Sequence, residues 1–412
     1  MNRMINILII SSLSFGCMTE KPVKVEQGNN VISLDDAFKN SRDVHLSEIA
    51  DSVTFLSLET TNHNLLRNPK FIFSSHYIFA YSTIFDWTGK YRGTIGKKGN
   101  GPYEEPEGAV RILFKDNHFY SKGTKFIEYD MNGMPTGKVK RLYDGRKFNT
   151  NDILRAGIEF FVVGKYLAAY DYPATIYFFD DDFETVASRR VIGSDTVRPN
   201  WNYIGKNFIT YYKDTTLFYN FINDTIFSVT EEGLEPRWIV NFDNEQRLSA
   251  DVILRYPDMF IDMERTILGG NSLEKTEIVR FMDNKHIIGG AFETDRYIFF
   301  LMKEMIPLAV PRKKENPAPY VMLFDKVKKE TVRVKGNGFI DDILEMNRFF
   351  PNSGVYDEKL IASIWPYEIL DYIDECREEG RKINPRLFAF SKTIKPDDNP
   401  VLIFVHLKRS QR

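Results

Sequence analysis

The sequence repeats a unit in which a strand-like run ends in an aromatic residue, passes through a turn and enters a second strand-like run. The clearest copy starts at Phe85, has its turn at residues 86–89 and continues from Tyr91. Further copies start at Tyr129, Phe179, Phe227 and Phe324. Successive starts are separated by 44, 50, 48 and 97 residues. A period of about 40–50 residues with several strands per unit is typical of the blades of a β-propeller.

The last interval, from Phe227 to Phe324, matches either two periods or one period plus an insertion. Together with one remaining C-terminal unit, the repeats predict six blades. The alternative is a pair of β-sandwich domains in which the spacing is coincidental. The 33 Phe and 21 Tyr residues favour strands over helices, and we expect most of these rings to pack between blades.

Two stretches depart from the strand pattern. Residues 244–265 read as short helical pieces interrupted by a proline, and they account for the long interval if it contains an insertion. Residues 366–379 place Ile369, Ile373 and Cys376 on one face of a helix, so Cys376 is expected to be buried. The predicted fold class is all-β: a six-bladed β-propeller with two short helical insertions.

The N-terminus has the pattern of an export signal. Residues 1–16 place a positive charge, Arg3, before an apolar stretch that is shorter than the roughly 20 residues needed to span a bilayer. A small residue directly precedes Cys17, as in bacterial lipoproteins, although Ser14 stands where a leucine is usual. The sequence therefore predicts a signal peptide at 1–16 and a lipidated Cys17. The alternatives are an ordinary cleaved signal and a buried N-terminal segment.

The remaining chain divides into a tether and a propeller. Residues 18–33 are polar and contain Pro22 and Gly28, so we expect residues 17–44 to form a flexible tether and residues 45–412 to form the propeller. The expected location is the cell envelope, with the lipid anchored in the outer membrane. The periplasmic and surface faces of that membrane both stay open.

Composition limits the partners. The 55 Lys and Arg residues against 57 Asp and Glu give a net charge of −2, so there is no basic surplus for nucleic acid. Two cysteines cannot build a disulfide scaffold. None of the six histidines forms a His-x-His or His-x-x-x-His pair, and we expect neither a metal nor a cofactor. The expected partners are the membrane, through the lipid anchor, and a glycan or a protein.

Several segments resemble the six-bladed β-propeller lipoproteins of Bacteroidetes, which are relatives of the NHL-repeat and TolB-like propellers. Residues 55–61 are similar to the opening strand of that family, residues 95–104 to its Gly-rich junction after the first blade, and residues 398–403 to its closing strand. The resemblance implies a disc of six four-stranded blades around a central channel, closed by pairing of N- and C-terminal strands within one blade. It implies no particular reaction.

Four charged residues are the candidates for ligand binding. Glu293 and Arg296 belong to a strand-like segment, where Arg296 either binds an anionic ligand at the channel or neutralises an acidic neighbour between blades. Asp341 and Asp342 precede another strand-like region and are placed to reach the channel mouth. No catalytic residue is identified, because the sequence has no Gly-x-Ser-x-Gly elbow.

Two further features have a structural reading that we prefer. The Asp triplet at 180–182 is expected to lie in a hairpin turn and to bond its own backbone. Trp201, Tyr203, Trp365 and Tyr367 are of a type that stacks on sugars, but aromatic residues this abundant are expected mainly in the core between blades.

These features favour a non-enzymatic, envelope-anchored propeller that serves as a binding or interaction module. The first alternative is a glycan-active hydrolase or lyase that uses carboxylates at the channel mouth, since a glycosidase needs two of them about 5–10 Å apart. The second is a structural subunit of a larger envelope complex. Carboxylates clustered in one open pocket would favour the enzyme.

Overall fold

Pairing mostly between consecutive strands arranges the described residues in six sheets of four or five strands and one further sheet of two short strands. In a computed structural model, the described residues are 30–105, 111–122, 125–141, 159–171, 175–182, 185–190, 208–219, 225–242, 247, 285–304 and 318–409. Within these ranges the chain is mostly β, with four short helices. Cys17 and the predicted signal peptide lie outside the described residues.

The strands are short and follow one another closely. In chain order they are β1 (Val31–Ser33), β2 (Ser41–Arg42), β3 (Ala50–Ser57), β4 (Phe71–Phe73), β5 (Tyr77–Ala80), β6 (Thr83–Asp86), β7 (Tyr91–Thr94), β8 (Lys97–Lys98), β9 (Glu104–Glu105), β10 (Arg111–Lys115), β11 (His118–Lys122), β12 (Lys125–Tyr129), β13 (Pro135–Arg141), β14 (Glu159–Val163), β15 (Tyr166–Asp171), β16 (Thr175–Phe179), β17 (Thr185–Arg190), β18 (Phe208–Tyr212), β19 (Thr215–Tyr219), β20 (Thr225–Val229), β21 (Leu234–Asn241), β22 (His286–Glu293), β23 (Tyr297–Glu304), β24 (Tyr320–Asp325), β25 (Glu330–Val334), β26 (Gly354–Tyr356), β27 (Lys359–Ile364) and β28 (Val401–Leu407). The helices are α1 (Asp35–Lys39), α2 (Leu46–Ile49), α3 (Pro366–Glu378) and α4 (Pro385–Ser391).

Each large sheet is one blade. Blades 1, 2 and 3 are β4–β7, β10–β13 and β14–β17; blade 4 is β18–β21 with β1 at its edge, and blade 5 is β22–β25 with β2 at its edge. Blade 6 contains β26, β27, β28 and β3, in that order. The first strands of adjacent blades contact each other: β10 contacts β14, and β22 contacts β26. The first strand of each blade is therefore the innermost.

The repeated aromatic residues mark the third strand of five blades. Phe85, Tyr129, Phe179, Phe227 and Phe324 lie on β6, β12, β16, β20 and β24. The long interval is one period plus an insertion, since β21 ends at Asn241 and β22 begins at His286. The prediction of a six-bladed β-propeller is confirmed.

An aspartate follows the aromatic residue in several blades because it organises the turn to the fourth strand. The Asp86 carboxylate accepts hydrogen bonds from the N–H groups of Thr88 and Lys90 at 2.8 and 3.1 Å. In the next blade, Asp130 accepts equivalent bonds from residues two and four positions later. Asp180 likewise accepts from the Asp182 N–H at 3.0 Å, which confirms the turn expected for the Asp triplet.

Aromatic side chains fill the space between adjacent blades. Phe79 of blade 1 meets Phe119 of blade 2 with ring centroids 5.8 Å apart, and Trp87 of blade 1 meets Phe404 of blade 6 at 6.0 Å. Phe79 and Phe119 are each only 1% exposed, and full burial of such a side chain contributes about 1.5–3 kcal/mol. The aromatic surplus in the sequence therefore serves packing between blades.

Blade 6 closes the ring by joining the two ends of the chain. The N-terminal strand β3 pairs antiparallel with the C-terminal strand β28, from Ala50 opposite Leu407 to Ser57 opposite Val401. This is the closure that the family resemblance implied. Blade 6 is therefore one continuous sheet, although β3 and β28 are about 350 residues apart in sequence.

Residues 31–44 correct the predicted boundary between tether and propeller. The sequence assigned residues 17–44 to a flexible tether, but β1 pairs in parallel with β21 from Val31 to Ser33, and β2 pairs in parallel with β25. The backbone of this segment therefore completes the hydrogen-bond ladders of blades 4 and 5. Residues 17–29 lie outside the described residues.

Helices α3 and α4 lie between β27 and β28 of blade 6. The first of them matches the helix predicted at 366–379, and Ile369, Ile373 and Cys376 are buried as expected. Cys376 is a free thiol. Of the second predicted insertion, residues 244–265, only Arg247 is among the described residues. The sequence did not predict α1 and α2, which have five and four residues.

The closing strand offers a direct test of the ring. Val53 of β3 is fully buried opposite Val405, so Val53→Asp leaves an unpaired charge in the core between blades. We expect the free energy of unfolding to fall by about 3–5 kcal/mol, measured by equilibrium denaturation in urea. The matched control is Asp51→Ala on the exposed side of the same strand, which should change it by less than about 0.5 kcal/mol. Equal effects of the two substitutions would contradict the closure.

Candidate functional site

Glu293 and Arg296 lie at a turn between the two inner strands of blade 5. Glu293 is the last residue of β22, and the Thr294 N–H donates to the carbonyl of Tyr297 at 2.8 Å to close the turn. This turn interrupts the strand-like segment read from the sequence. The pair lies at the end of the disc where the innermost strands finish.

The Glu293 carboxylate is only 4% exposed and is fully engaged. It accepts hydrogen bonds from Arg237 Nε at 2.7 Å and Nη2 at 2.9 Å, from Trp238 Nε1 at 3.0 Å and from Lys326 Nζ at 3.0 Å. Burial alone would raise the pKa of Glu293, but the bonds from Arg237 and the charge of Lys326 hold it below its ordinary value. This carboxylate joins blade 4 to blade 5.

Arg296 is also paired within the protein. Its Nη2 lies 2.9 Å from the Asp325 carboxylate, which neutralises the acidic neighbour. Between the two candidate residues, Asp295 bonds Lys213 Nζ and the Tyr212 hydroxyl of blade 4, each at 2.7 Å. Arg296 thus neutralises an acidic neighbour within blade 5 rather than between blades, and a ligand-binding role for Glu293 and Arg296 stays a prediction.

Asp341 and Asp342 lie in the connection from blade 5 to blade 6, away from that turn. Asp342 accepts from the N–H of Ser47 at 2.9 Å and from its hydroxyl group. Burial acts to raise the pKa of Asp342, but the bonds from Ser47 lower it below its ordinary value. The side chain thereby ties this connection to the segment that precedes β3.

Asp341 has different surroundings. It is 7% exposed, and its Oδ1 accepts from the N–H groups of Ile343 at 3.1 Å and Leu344 at 2.9 Å. Burial raises the pKa of this carboxyl above its ordinary value despite those bonds. Asp341 also lines a cavity, whereas Asp342 does not.

The cavity has a volume of about 530 Å³ and lies beside blade 6. We call it the blade-6 cavity, and its lining residues are Leu46, Val53, Asn68, Pro69, Asp341, Met346, Asn347, Arg348, Phe349, Phe350, Asn352, Ala362, Ser363, Ile364, Trp365, Glu368, Pro400 and Ile403. Pro69 shortly precedes the innermost strand β4, and Asn352 shortly precedes β26. The cavity is therefore at the end of the disc where the innermost strands begin, opposite the turn of Glu293.

The walls of this cavity come from both ends of the chain and are held together by side-chain amides. Asn399, 2% exposed, accepts from the Leu66 N–H at 2.9 Å and donates to the carbonyl of Glu59 at 3.0 Å. Asn352 accepts from the Ser363 N–H at 2.8 Å and donates to the Ser363 carbonyl at 2.9 Å. These bonds position the loop before β4 and the loop before β26.

Three polar side chains of the wall are left free for a ligand. Trp365 is partly buried, and neither its indole N–H nor its ring has a partner among the described residues. The side-chain amides of Asn68 and Asn347 are exposed and likewise have no hydrogen-bond partner in the described part of the chain. The cavity thus combines one aromatic surface with unpaired donors and acceptors.

The charged residues of the wall are already engaged. Arg348 donates to the carbonyls of Lys335 at 2.7 Å and Gly338 at 3.0 Å and pairs with Asp43 at 2.6 Å. The Glu368 carboxylate accepts from the backbone N–H of Trp365 at 2.8 Å, at the start of α3. With Asp341 bonded to its own loop, the cavity offers hydrogen bonds rather than free charge.

Sequence reasoning named two residues of this site, Asp341 as a candidate for ligand binding and Trp365 as a residue type that stacks on sugars. Asn68 and Asn347 belong to no motif, and they come together only because the ring closes. Trp365 carried the one usable signal, an aromatic residue directly before the proline that begins a predicted helix. Because aromatic residues are so abundant in this sequence, Trp365 was expected in the core between blades instead.

The described residues contain neither a cluster of metal ligands nor a membrane-spanning helix. Across the described ranges, no three His, Cys, Asp or Glu side chains lie close enough together to hold a metal ion. In the same part of the chain, no helix is both long enough and apolar enough to cross a bilayer.

Comparison with solved structures supports the fold. A protein of Bacteroides fragilis NCTC 9343 that is described as exported superposes with a TM-score of 0.62 at 17% identity, covering 92% of this chain and 99% of its own. Virginiamycin B lyase from Staphylococcus aureus reaches only 0.31 at 10% identity, over 68% of this chain and 73% of its own. BamB from Moraxella catarrhalis reaches 0.27 at 13% identity, over 68% and 65%. Only the Bacteroides fragilis protein is similar enough to support the assignment of the fold.

Sequence comparison gives the family. No curated protein matches the chain. A family model described as "Domain of unknown function (DUF4934)" matches residues 29–406, which include the strands at the edges of blades 4 and 5 and nearly all of the closing strand β28. The chain therefore belongs to the DUF4934 family.

Proposed function

We propose that this protein is an exported, lipid-anchored binding module of the cell envelope and that its ligand occupies the blade-6 cavity. The observation that carries the proposal is the free set of Trp365, Asn68 and Asn347 in a cavity of about 530 Å³. Ligand cavities in proteins usually measure about 300–1,000 Å³ and combine apolar walls with a few polar groups. The remaining polar side chains discussed above already serve the fold.

Export and anchoring rest on the N-terminal sequence. Residues 1–16 have the pattern of a signal peptide, and Cys17 stands at the position that is acylated in lipoproteins. The exported Bacteroides fragilis protein with the same fold supports a secreted or envelope location. The resemblance to propeller lipoproteins of Bacteroidetes supports an anchor in the outer membrane and a relation to NHL-repeat and TolB-like propellers.

A glycan-active hydrolase or lyase is the second candidate, because two carboxylates, Asp341 and Glu368, line the same cavity. Both carboxylates accept backbone hydrogen bonds, from the N–H of Leu344 and of Trp365. We expect them to hold the loop and the helix start rather than to attack a substrate. Analysis of products after incubation with each bound glycan distinguishes the two functions: turnover that is lost in Asp341→Asn would establish the enzyme.

The anchor is tested by substituting the cysteine. Cys17→Ser should abolish incorporation of labelled palmitate and move the protein from the membrane fraction to the soluble fraction, because the acylated thiol is lost. The matched control is Cys376→Ser at the other cysteine of the chain, which should leave incorporation intact. Unchanged labelling of the Cys17→Ser protein would refute the lipid anchor.

The binding site is tested by filling the cavity. We expect at least one class among saccharides, peptides, nucleotides and fatty acids to raise the melting temperature of the detergent-solubilised protein, since a ligand that binds only the native state stabilises it. Asn347→Trp should remove this shift. Asn347 is exposed and has no hydrogen-bond partner among the described residues, so the substitution itself should change stability by less than about 0.5 kcal/mol.

The matched control for cavity filling is Asn62→Trp, at an exposed asparagine that does not line the cavity. This variant should keep the ligand-induced shift. A panel in which every shift survives Asn347→Trp, or in which no class gives a shift, would contradict the proposed site.

A further inference from the structure

Trp365 differs from the other tryptophans that the structure describes. Trp87 stacks on Tyr356 at 5.4 Å and donates its indole N–H to the Ser74 carbonyl at 3.1 Å. Trp238 packs against Phe324 and donates to Glu293 at 3.0 Å. Trp365 has neither a ring partner nor an indole acceptor within the described residues. Its ring face and its donor are therefore available to a ligand in the cavity.

The position of Trp365 is fixed although its ring is free. The residue stands between the end of β27 at Ile364 and the start of α3 at Pro366. Its backbone N–H donates to Glu368 at 2.8 Å, and Pro366 is buried. Because the backbone is held in place, binding has to order only the side-chain torsions of the ring.

The polar groups that share the cavity with this ring suit hydroxyl groups. A carboxamide carries two donors on nitrogen and an acceptor oxygen, and a hydroxyl group likewise donates and accepts. Asn68 and Asn347 both line the cavity with unpaired carboxamides. An aromatic surface and two carboxamides within one cavity match a molecule that has an apolar face and hydroxyl groups around its rim.

The charged side chains that line the cavity disfavour acidic ligands. Among the described residues that line the cavity, Arg348 is the one Arg or Lys, and its guanidinium already bonds Asp43 and two backbone carbonyls. Asp341 and Glu368 add negative charge to the wall. A phosphate or carboxylate ligand would thus meet no free cation and would have to give up its hydration.

We infer that the ligand of the blade-6 cavity is an uncharged oligosaccharide, with one pyranose ring stacked on Trp365 and its hydroxyl groups bonded to Asn68 and Asn347. This inference rests on the proposed function and names the ligand class of the same site. The volume of about 530 Å³ falls within the range for small-molecule ligands. The cavity is open to one end of the disc, so a longer glycan chain can extend from it.

The test is isothermal titration of the detergent-solubilised protein with a panel of neutral di- to tetrasaccharides of glucose, galactose, mannose and N-acetylglucosamine, in α and β linkage. Matched uronic-acid oligosaccharides form the anionic arm. We expect at least one neutral saccharide to bind, and its anionic counterpart to bind at least tenfold more weakly. Preferential binding of the anionic saccharides would overturn the inference.

Variants connect the binding to the ring. Trp365→Ala should weaken the neutral saccharide at least tenfold, and Trp365→Phe should restore part of the affinity because it keeps an aromatic face. Tyr367→Ala is the matched control, since Tyr367 is 46% exposed on the same helix and does not line the cavity. Equal affinities of the Trp365→Ala and wild-type proteins would overturn the inference, provided that both unfold at the same denaturant concentration.

The outcomes separate this inference from the proposed function. Binding of a peptide, nucleotide or fatty acid that Asn347→Trp abolishes, with no neutral saccharide bound, would overturn the saccharide class and leave the binding module intact. Failure of every class to bind in the cavity would overturn both. Cleavage of a bound neutral saccharide would support the ligand class and contradict the non-enzymatic role.

Discussion

The antiparallel pairing of β3 with β28 is the contact on which the rest of the molecule depends. It joins residues 50–57 to residues 401–407 and turns a row of blades into a ring, in which aromatic residues are buried between adjacent blades. The blade-6 cavity is a product of the same contact. Leu46, Val53, Asn68 and Pro69 reach it from the N-terminal side, and the other walls come from residues 341–403. A chain that failed to close would lose the cavity together with the fold.

The segment before β3 extends this closure. Residues 31–42 pair along the outer edges of blades 4 and 5, where exposed backbone groups would otherwise offer an edge for pairing with another chain. The buried Asn399 ties the loop after β3 to the segment before β28. The described ring is thus held by strand pairing, side-chain amides and packed aromatic rings, while Cys376 remains a free thiol in the core.

Features with a local cause were predictable from the sequence. The aromatic residue of the third strand recurs because it packs between blades, and the aspartate of the following turn recurs because it bonds the backbone of that turn. The apolar face of α3 shows directly in residues 369–376. The edge strands β1 and β2 were missed because each is short and pairs with a partner about 200–300 residues away. Asp341 was found by its charge, and Trp365 was noticed as an aromatic residue but assigned to the core. Asn68 and Asn347 were missed, since only ring closure brings them together.

The closed ring presents a ligand cavity at blade 6. Hydrogen–deuterium exchange of the protein, with and without the neutral saccharide that binds most tightly, tests it most directly. Exchange should slow in residues 346–352 and in the first turn of α3, which carry Asn347, Trp365 and Glu368. The turn at 294–296 on the opposite end of the disc should be unaffected. Protection confined to that turn, or to another blade, would contradict the account.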